Sequence, residues 1–202
     1  MSNKSFEGNL WTWMRCKNKI TGLRGRLGFS DSPFLKFLGL SISLESGSVF
    51  DELRNKRFAA LAPNLYCILS GYADAKPISE TFKLISFRQL AGGHAYYNAF
   101  LRRAVNSIQK VFGSKPERLV ESAKLLGGSK TEYGDCSVKI YSLPLVPITV
   151  ILWAENREFE SSATILLDSS VGNYLSTEQV TMLSELTSVR LRHANEVLDM
   201  QR

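Results

Sequence analysis

The chain has 202 residues, 44% of them hydrophobic, and is therefore long enough to bury one good core. Its longest nearly uncharged apolar run, residues 143–154, contains two prolines and is far shorter than the roughly 20 residues of a membrane-spanning helix, which argues against a transmembrane protein. The net charge is +6, and its distribution along the chain is more informative than its total.

The N-terminal sequence and the cysteines predict a cytoplasmic protein. Residues 1–19, MSNKSFEGNLWTWMRCKNK, lack the uninterrupted apolar stretch and the small-residue cleavage site of a secretory signal. The three cysteines, Cys16, Cys67 and Cys136, are odd in number and far apart, which fits neither a disulfide framework nor a paired-cysteine metal site. We therefore expect reduced thiols in a cytosol.

Residues 1–32 predict a basic N-terminal arm ahead of a single α+β domain over residues 33–202. Residues 1–30 contain six Lys or Arg and one Glu, whereas residues 151–202 contain four Arg and eight Asp or Glu. Cations interleaved with tryptophans suit phosphate contact and base stacking, and they equally suit an acidic protein partner, an anionic membrane surface or a flexible tail. The nucleic-acid or partner candidates in the arm are Lys4, Trp11, Trp13, Arg15, Lys17, Lys19, Arg24 and Arg26.

The segment after the arm predicts one strand and then several helices. In residues 37–45, FLGLSISLE, apolar and small residues alternate, which is typical of a half-buried strand. After Gly92 and Gly93, apolar residues recur at spacings of three and four up to Phe112, which predicts a helix with one core-directed face. Another helix is expected from Pro116 to the paired glycines at 127–128.

The pattern changes from a period of 3.6 to a period of 2 from Gly134 onward. Three strands are expected, the last over residues 163–168, and their short connections favour an antiparallel meander that the strand near Leu40 could join. Ser176 and Gln179 have capping-box spacing at the start of a final helix. The predicted fold class is α+β, with an antiparallel sheet of three to four strands packed with several helices.

The start of the predicted helix after residue 93 concentrates polar and aromatic residues. The sequence AGGHAYYNAFLRR contains His94, Tyr96, Arg102 and Arg103, and exposed backbone N–H groups at a helix N-terminus attract anions. The spacing assigns Tyr97 to the core, whereas Tyr96 and the arginines are free to face a ligand. A structural glycine turn before an ordinary amphipathic helix explains the same residues.

An acidic turn is expected where the second and third strands connect, at residues 155–158. Charged turn residues are ordinarily hydrated, and this is the simplest interpretation. The alternative is that Glu155, Glu158 and Asp168 form a carboxylate cluster for a metal ion or a cationic partner, with His94 as a further ligand. No Ser/His/Asp arrangement, P-loop, zinc-protease or dinucleotide motif is present in the sequence.

Three segments, ISFRQLAGGHAYYNAF, LPLVPITVILW and REFESSATILLDSSVGNYLSTEQ, resemble in order and spacing an uncharacterised prokaryotic family known as a domain of unknown function. The resemblance covers about residues 36–192, and the chain departs from the family pattern at Asn156, Ser161 and Leu167. The matching positions are Phe87, Arg88, Gly92, Gly93, Pro144, Pro147, Trp153, Glu158, Phe159, Asp168, Tyr174 and Glu178. The resemblance implies no activity.

Some relatives in that family contain a cysteine-rich iron-sulfur segment and are linked with corrinoid or one-carbon metabolism. In this chain Cys16 is the lone cysteine of its region and cannot by itself hold a cluster. The resemblance therefore leaves the cofactor of this protein unknown.

Three functional hypotheses follow. The leading one is a non-catalytic binding or accessory protein, which handles a cofactor or acts as a subunit or partner of a larger metabolic complex. The alternatives are a nucleic-acid or ribosome-associated protein that uses the basic arm, and a metal-dependent enzyme that uses the acidic turn. The leading hypothesis places the site between the helix start and the acidic turn, with ligand or partner candidates Arg88, Gly92, Gly93, His94, Tyr96, Arg102, Arg103, Trp153, Glu158 and Asp168.

Overall fold

A computed structural model describes residues 10–200 and confirms the predicted α+β class. The helices are α1 (Trp13–Thr21), α2 (Ala62–Asp74), α3 (Gly93–Phe100), α4 (Asn106–Phe112), α5 (Glu117–Leu125), α6 (Val171–Tyr174) and α7 (Thr177–Met200). The strands are β1 (Phe34–Phe37), β2 (Leu40–Ser43), β3 (Val49–Asp51), β4 (Lys56–Arg57), β5 (Leu84–Ser86), β6 (Ser129–Thr131), β7 (Cys136–Leu143), β8 (Val146–Trp153) and β9 (Ser162–Asp168).

The larger sheet has five antiparallel strands in the order β5-β9-β8-β7-β6. Its centre, β7-β8-β9, is the predicted meander. Val138, Val150 and Ile165 lie side by side in register and are buried, because α4, α5 and α7 contact this face. The edge strand β6 was not predicted, since three residues are too few to show a period of 2.

The smaller sheet has four antiparallel strands in the order β1-β2-β3-β4, and it corrects the strand predicted around Leu40. Leu38 and Gly39 adopt left-handed conformations, with φ of 49° and 66°, and form the tight turn of a hairpin. The chain therefore reverses direction at these two residues, although the alternating sequence pattern runs through them without a break. The strand β2 therefore joins the smaller sheet and not the meander.

The part of the predicted arm that the structure describes is folded, which corrects the placement of a boundary near residue 32. Helix α1 packs against α2, and Trp13 lies 5.7 Å from the ring of Tyr66. The side chains of Cys16, Ile20 and Leu23 are buried in the same core as the sheets. The basic residues of α1 had obscured this apolar stripe, whose spacing of three and four is that of an amphipathic helix.

The helical predictions after residue 92 are confirmed. Helices α3 and α4 form one continuous rod, joined by a π-helical turn over Leu101–Val105. The side chains of Gln179 and Ser176 each accept a backbone N–H from the other residue, which is the predicted capping box of α7. Among the described residues no helix is both long enough and apolar enough to cross a bilayer.

A buried ion pair connects the smaller sheet to α7. The two carboxylate oxygens of Asp51 accept hydrogen bonds of 2.7 Å from the guanidinium of Arg190, and both side chains are fully buried. Arg190 also donates to the carbonyl oxygens of Leu38 and Gly39. Burial by itself raises the pKa of Asp51, but the hydrogen bonds and charge of Arg190, aided by Arg54, hold that pKa well below its usual range.

His193 lies beside this ion pair, and its protonation is expected to destabilise the folded protein in mild acid. Burial, with the nearby charges of Arg54 and Arg190, lowers the pKa of His193 from 6.5 to about 4. The unfolded chain therefore binds more protons than the folded chain between these values, so the free energy of unfolding falls as the pH decreases from 6.5 to 4. We expect a decrease of at most about 3 kcal/mol from this residue, measured by urea unfolding at several pH values.

The matched control for this prediction is His193→Gln, which removes the titration and keeps a polar side chain of similar size. The unfolding free energy of the unaltered protein minus that of His193→Gln should decrease as the pH decreases from 6.5 to 4. A difference that stays constant over this range would contradict the prediction.

Candidate functional site

A stripe on α7, exposed at its first position and half-buried at the other three, is the floor of a partly apolar depression that includes residues predicted for the site. Glu178, Met182, Glu185 and Val189 follow one another at intervals of four, three and four residues, so they share one face of the helix. Between Val180 and Leu191, every residue of α7 outside this stripe is buried. The stripe is therefore the side of this part of α7 that stays available to another molecule.

Helices α2 and α3 complete this depression, which we call the helix groove. Toward the N-terminus of α7, the groove is a cavity of about 260 Å³ lined by Tyr96, Ala99, Arg103, Glu178, Thr181 and Met182. Toward the C-terminus of α7, it narrows to about 30 Å³ between the stripe and the α2 region, and the lining residues there include Leu61, Asn64, Leu65 and Ile68. Met182 lines both parts, so they adjoin each other along this face of α7.

The groove combines an apolar surface with a small excess of negative charge. Its charged side chains are Arg103, Glu178 and Glu185. Within residues 10–200, none of the three forms an ion pair in the structure. These charges are therefore free to meet charges on a bound molecule.

The aromatic residues of α3 are divided as the helical spacing predicts. Tyr96 is 64% exposed and lines the groove, whereas Tyr97 packs against the core and has the guanidinium of Arg88 4.0 Å from its ring centre. Arg88 is thereby held against the helix outside the groove. His94 and Arg102 are exposed and line none of the described cavities.

The two glycines before α3 are explained by structural requirements, backbone conformation at the first and close packing at the second. Gly92 has a positive φ of 73°, which turns the chain into the helix. Gly93 is buried, and a Cβ atom at this position would lie 2.0 Å from the carbonyl oxygen of Phe87. The requirement for glycine is therefore explained by backbone conformation and by close packing.

The acidic turn between β8 and β9 is a solvated loop. The side chain of Asn156 accepts the backbone N–H groups of Glu158 and Phe159 and so builds the turn. The carboxylates of Glu155 and Glu158 point to no ion-pair partner among the described residues, and both residues are exposed. Trp153 is 42% exposed and lines an open depression beside the turn.

Asp168 lies at the far end of β9 from the acidic turn, which corrects the predicted carboxylate cluster. Strand β9 has seven residues, so its end next to the acidic turn, Ser162, lies about 20 Å from Asp168. Across the described part of the chain, no group of three or more His, Cys, Asp or Glu side chains is placed to hold a metal ion. Among the described cavities, none is lined both by α3 and by the acidic turn.

Among the candidate residues of the arm, Trp13 is not available to stack on a base, because its ring packs against Tyr66 and over Gly47. Lys19 pairs with Asp74, Arg24 pairs with Asp31, and Arg26 donates to the carbonyl oxygen of Ala73. Trp11, Arg15 and Lys17 are exposed, and Lys4 lies outside the described residues. Nucleic-acid binding by the arm stays a prediction.

Sequence reasoning missed the α7 stripe and the α2 wall of the groove. The stripe is visible in the sequence, because Glu178, Met182, Glu185 and Val189 have the 4-3-4 spacing of one helix face. The α2 wall had no such signal, since Leu61 and Leu65 read as ordinary core residues.

Comparison with known proteins identifies the family without a function. A family model described as a domain of unknown function, DUF3786, matches residues 29–190. No curated protein and no solved structure gives a significant match.

Proposed function

Because the chain belongs to the DUF3786 family, a family of unknown function, we propose a role for it from its structure: a non-catalytic accessory protein that binds the helix of a partner protein in the helix groove. The proposal is supported by one observation. The stripe from Glu178 to Val189 is left exposed at Glu178 and half-buried at Met182, Glu185 and Val189, between neighbouring helices. A partner of this kind is consistent with a subunit of a larger metabolic complex.

The length and chemistry of the groove favour a helix as its occupant. The stripe spans twelve residues of α7, which corresponds to about 16 Å or three helical turns between the first residue and the last. Amphipathic helices bind such grooves through apolar side chains spaced three and four residues apart. Met182, Leu61 and Tyr96 supply the apolar and aromatic surface that such side chains contact.

The charges of the groove indicate which charges the partner helix should have. Glu178 and Glu185 lie along the stripe, and Arg103 lies at one end of it. A complementary helix therefore places Lys or Arg residues against the two glutamates and keeps its apolar face on Met182. The expected partner face has a net positive charge.

Site-specific crosslinking tests this proposal. A photoreactive amino acid at Met182 should crosslink to one partner protein in cells of the source organism, and the crosslinked peptide should form an amphipathic helix with basic residues. The matched control is the same amino acid at Phe34, which is 44% exposed on the smaller sheet. Equal crosslinking from both positions would overturn the proposal.

Charge reversal tests the predicted complementarity with the purified partner helix. Glu178→Lys combined with Glu185→Lys should weaken its binding by at least about tenfold, because like charges across an interface repel. The control is Glu158→Lys on the acidic turn, which should bind as the unaltered protein does. Unchanged affinity in the doubly substituted protein would contradict the proposed docking mode.

A further inference from the structure

The face of the five-stranded sheet that lies away from the helices contains a second cavity, of about 170 Å³, which we call the sheet cavity. Lys139, Thr149 and Asp168 line it from β7, β8 and β9, where they alternate with core residues. Glu80 and Phe82 line it from the chain that precedes β5. The sheet cavity shares no lining residue with the helix groove.

Asp168 presents an unused hydrogen-bond acceptor in this buried region. Its Oδ1 atom accepts the backbone N–H and the hydroxyl of Thr81 and the backbone N–H of Ser170. Its Oδ2 atom is buried and accepts no hydrogen bond from any described residue, although the side chain is only 1% exposed. Buried carboxylate oxygens normally have partners, so this atom marks a place for a donor that the chain itself does not supply.

The carboxylate of Asp168 is charged. Burial raises its pKa, but the hydrogen bonds from Ser170 and Thr81 outweigh burial and hold the pKa below its usual range. Leaving a buried charge with one oxygen unpaired costs free energy, which a donor at that oxygen would recover.

The other charges of the sheet cavity neutralise each other. The ammonium group of Lys139 pairs with the carboxylate of Glu80, which also accepts the hydroxyl of Tyr141. Lys139 lies 5.5 Å from the ring centre of Phe82. The cavity therefore has one net negative charge, from Asp168, and attracts a ligand with one positive charge.

We propose that the sheet cavity binds a small primary ammonium compound, whose N–H group donates to Oδ2 of Asp168. The cavity is smaller than the roughly 300–1,000 Å³ of sites for drug-sized ligands, so the ligand is correspondingly small. Leu84, Pro147 and Phe82 supply apolar and aromatic surface for a short hydrocarbon portion. This site is independent of the helix groove and does not rest on the proposed partner binding.

Titration of the isotope-labelled full chain with n-butylammonium tests this site by nuclear magnetic resonance. The amine should cause saturable shifts of the backbone amides of Thr81 and Ser170, whereas n-butanol and butyrate should not. Sodium chloride at equal ionic strength controls for screening. Equal shifts with butanol, or amine shifts confined to other surfaces, would overturn the proposal.

Asp168→Asn isolates the charge, because the amide oxygen can still accept from Thr81 and Ser170. It should weaken amine binding by at least about tenfold, as expected for the loss of a charge-assisted hydrogen bond. Glu158→Gln, on the exposed acidic turn, should leave the affinity unchanged. The site is contradicted if folded Asp168→Asn keeps its affinity for the amine, or if Glu158→Gln loses as much affinity. If Asp168→Asn does not fold, the amide shifts of Thr81 and Ser170 in the unaltered chain decide the question.

Discussion

Replacing Asp51 with Ala is expected to lower the free energy of unfolding by about 3–5 kcal/mol, which is the usual effect of removing one partner from a buried ion pair. The substitution leaves the guanidinium of Arg190 charged, fully buried and without its carboxylate. Arg190 would still donate to the carbonyl oxygens of Leu38 and Gly39, but these neutral acceptors do not balance its charge. Urea unfolding followed by circular dichroism measures the loss.

Asp31→Ala is the matched control, because Asp31 forms an ion pair with Arg24 at the surface and its side chain is 77% exposed. Exposed pairs contribute at most about 1 kcal/mol, so this variant should remain close to the unaltered protein. Combining Asp51→Ala with Arg190→Met should cost less than the sum of the two single losses, since both remove the same pair. Similar losses for Asp51→Ala and Asp31→Ala would refute the assigned role.

Gly93→Ala is expected to destabilise the protein by about 3 kcal/mol or more, at the upper end of what overpacking costs. The new Cβ would lie 2.0 Å from the carbonyl oxygen of Phe87, which is backbone and cannot move without disturbing the short helical turn at 87–89. The start of α3 must then shift away from that turn. Thermal and urea unfolding both measure the effect.

Gly92→Ala is the neighbouring control and separates close packing from backbone strain. No atom lies within 4 Å of a Cβ at Gly92, so the penalty comes only from its positive φ. That penalty is about 1–2 kcal/mol. If the two alanine variants lose equal stability, the close approach of Gly93 to Phe87 is not what requires glycine there.

Much of the fold is readable from local patterns, because those patterns report which side of each element is buried. The meander and the capped helix α7 follow from periods of 2 and 3.6 over seven or more residues. The hairpin at Leu38 was missed because the alternating pattern continues through the turn, and a left-handed leucine beside Gly39 is not signalled by that pattern.

The site was predictable only in part, for the same physical reason. Helical spacing separates exposed Tyr96 from packed Tyr97, and the structure confirms that division. Glu158 and Asp168 were grouped with α3 because they share a chemical type, whereas the strand between them sets their distance. Oδ1 of Asp168 accepts hydrogen bonds from Thr81, which is 87 residues distant, so the sequence around Asp168 does not show which of its oxygens is paired.

The burial of α1 determines which residues an expressed fragment of this protein must include. The family match begins at residue 29 and ends at residue 190, yet Ile20 and Leu23 fill the core and α7 continues to Met200. Arg118 on α5 donates to Asn195 beyond the matched region. A fragment trimmed to the limits of the match would lack both ends of its own core, so sequence boundaries and folding boundaries do not coincide in this protein.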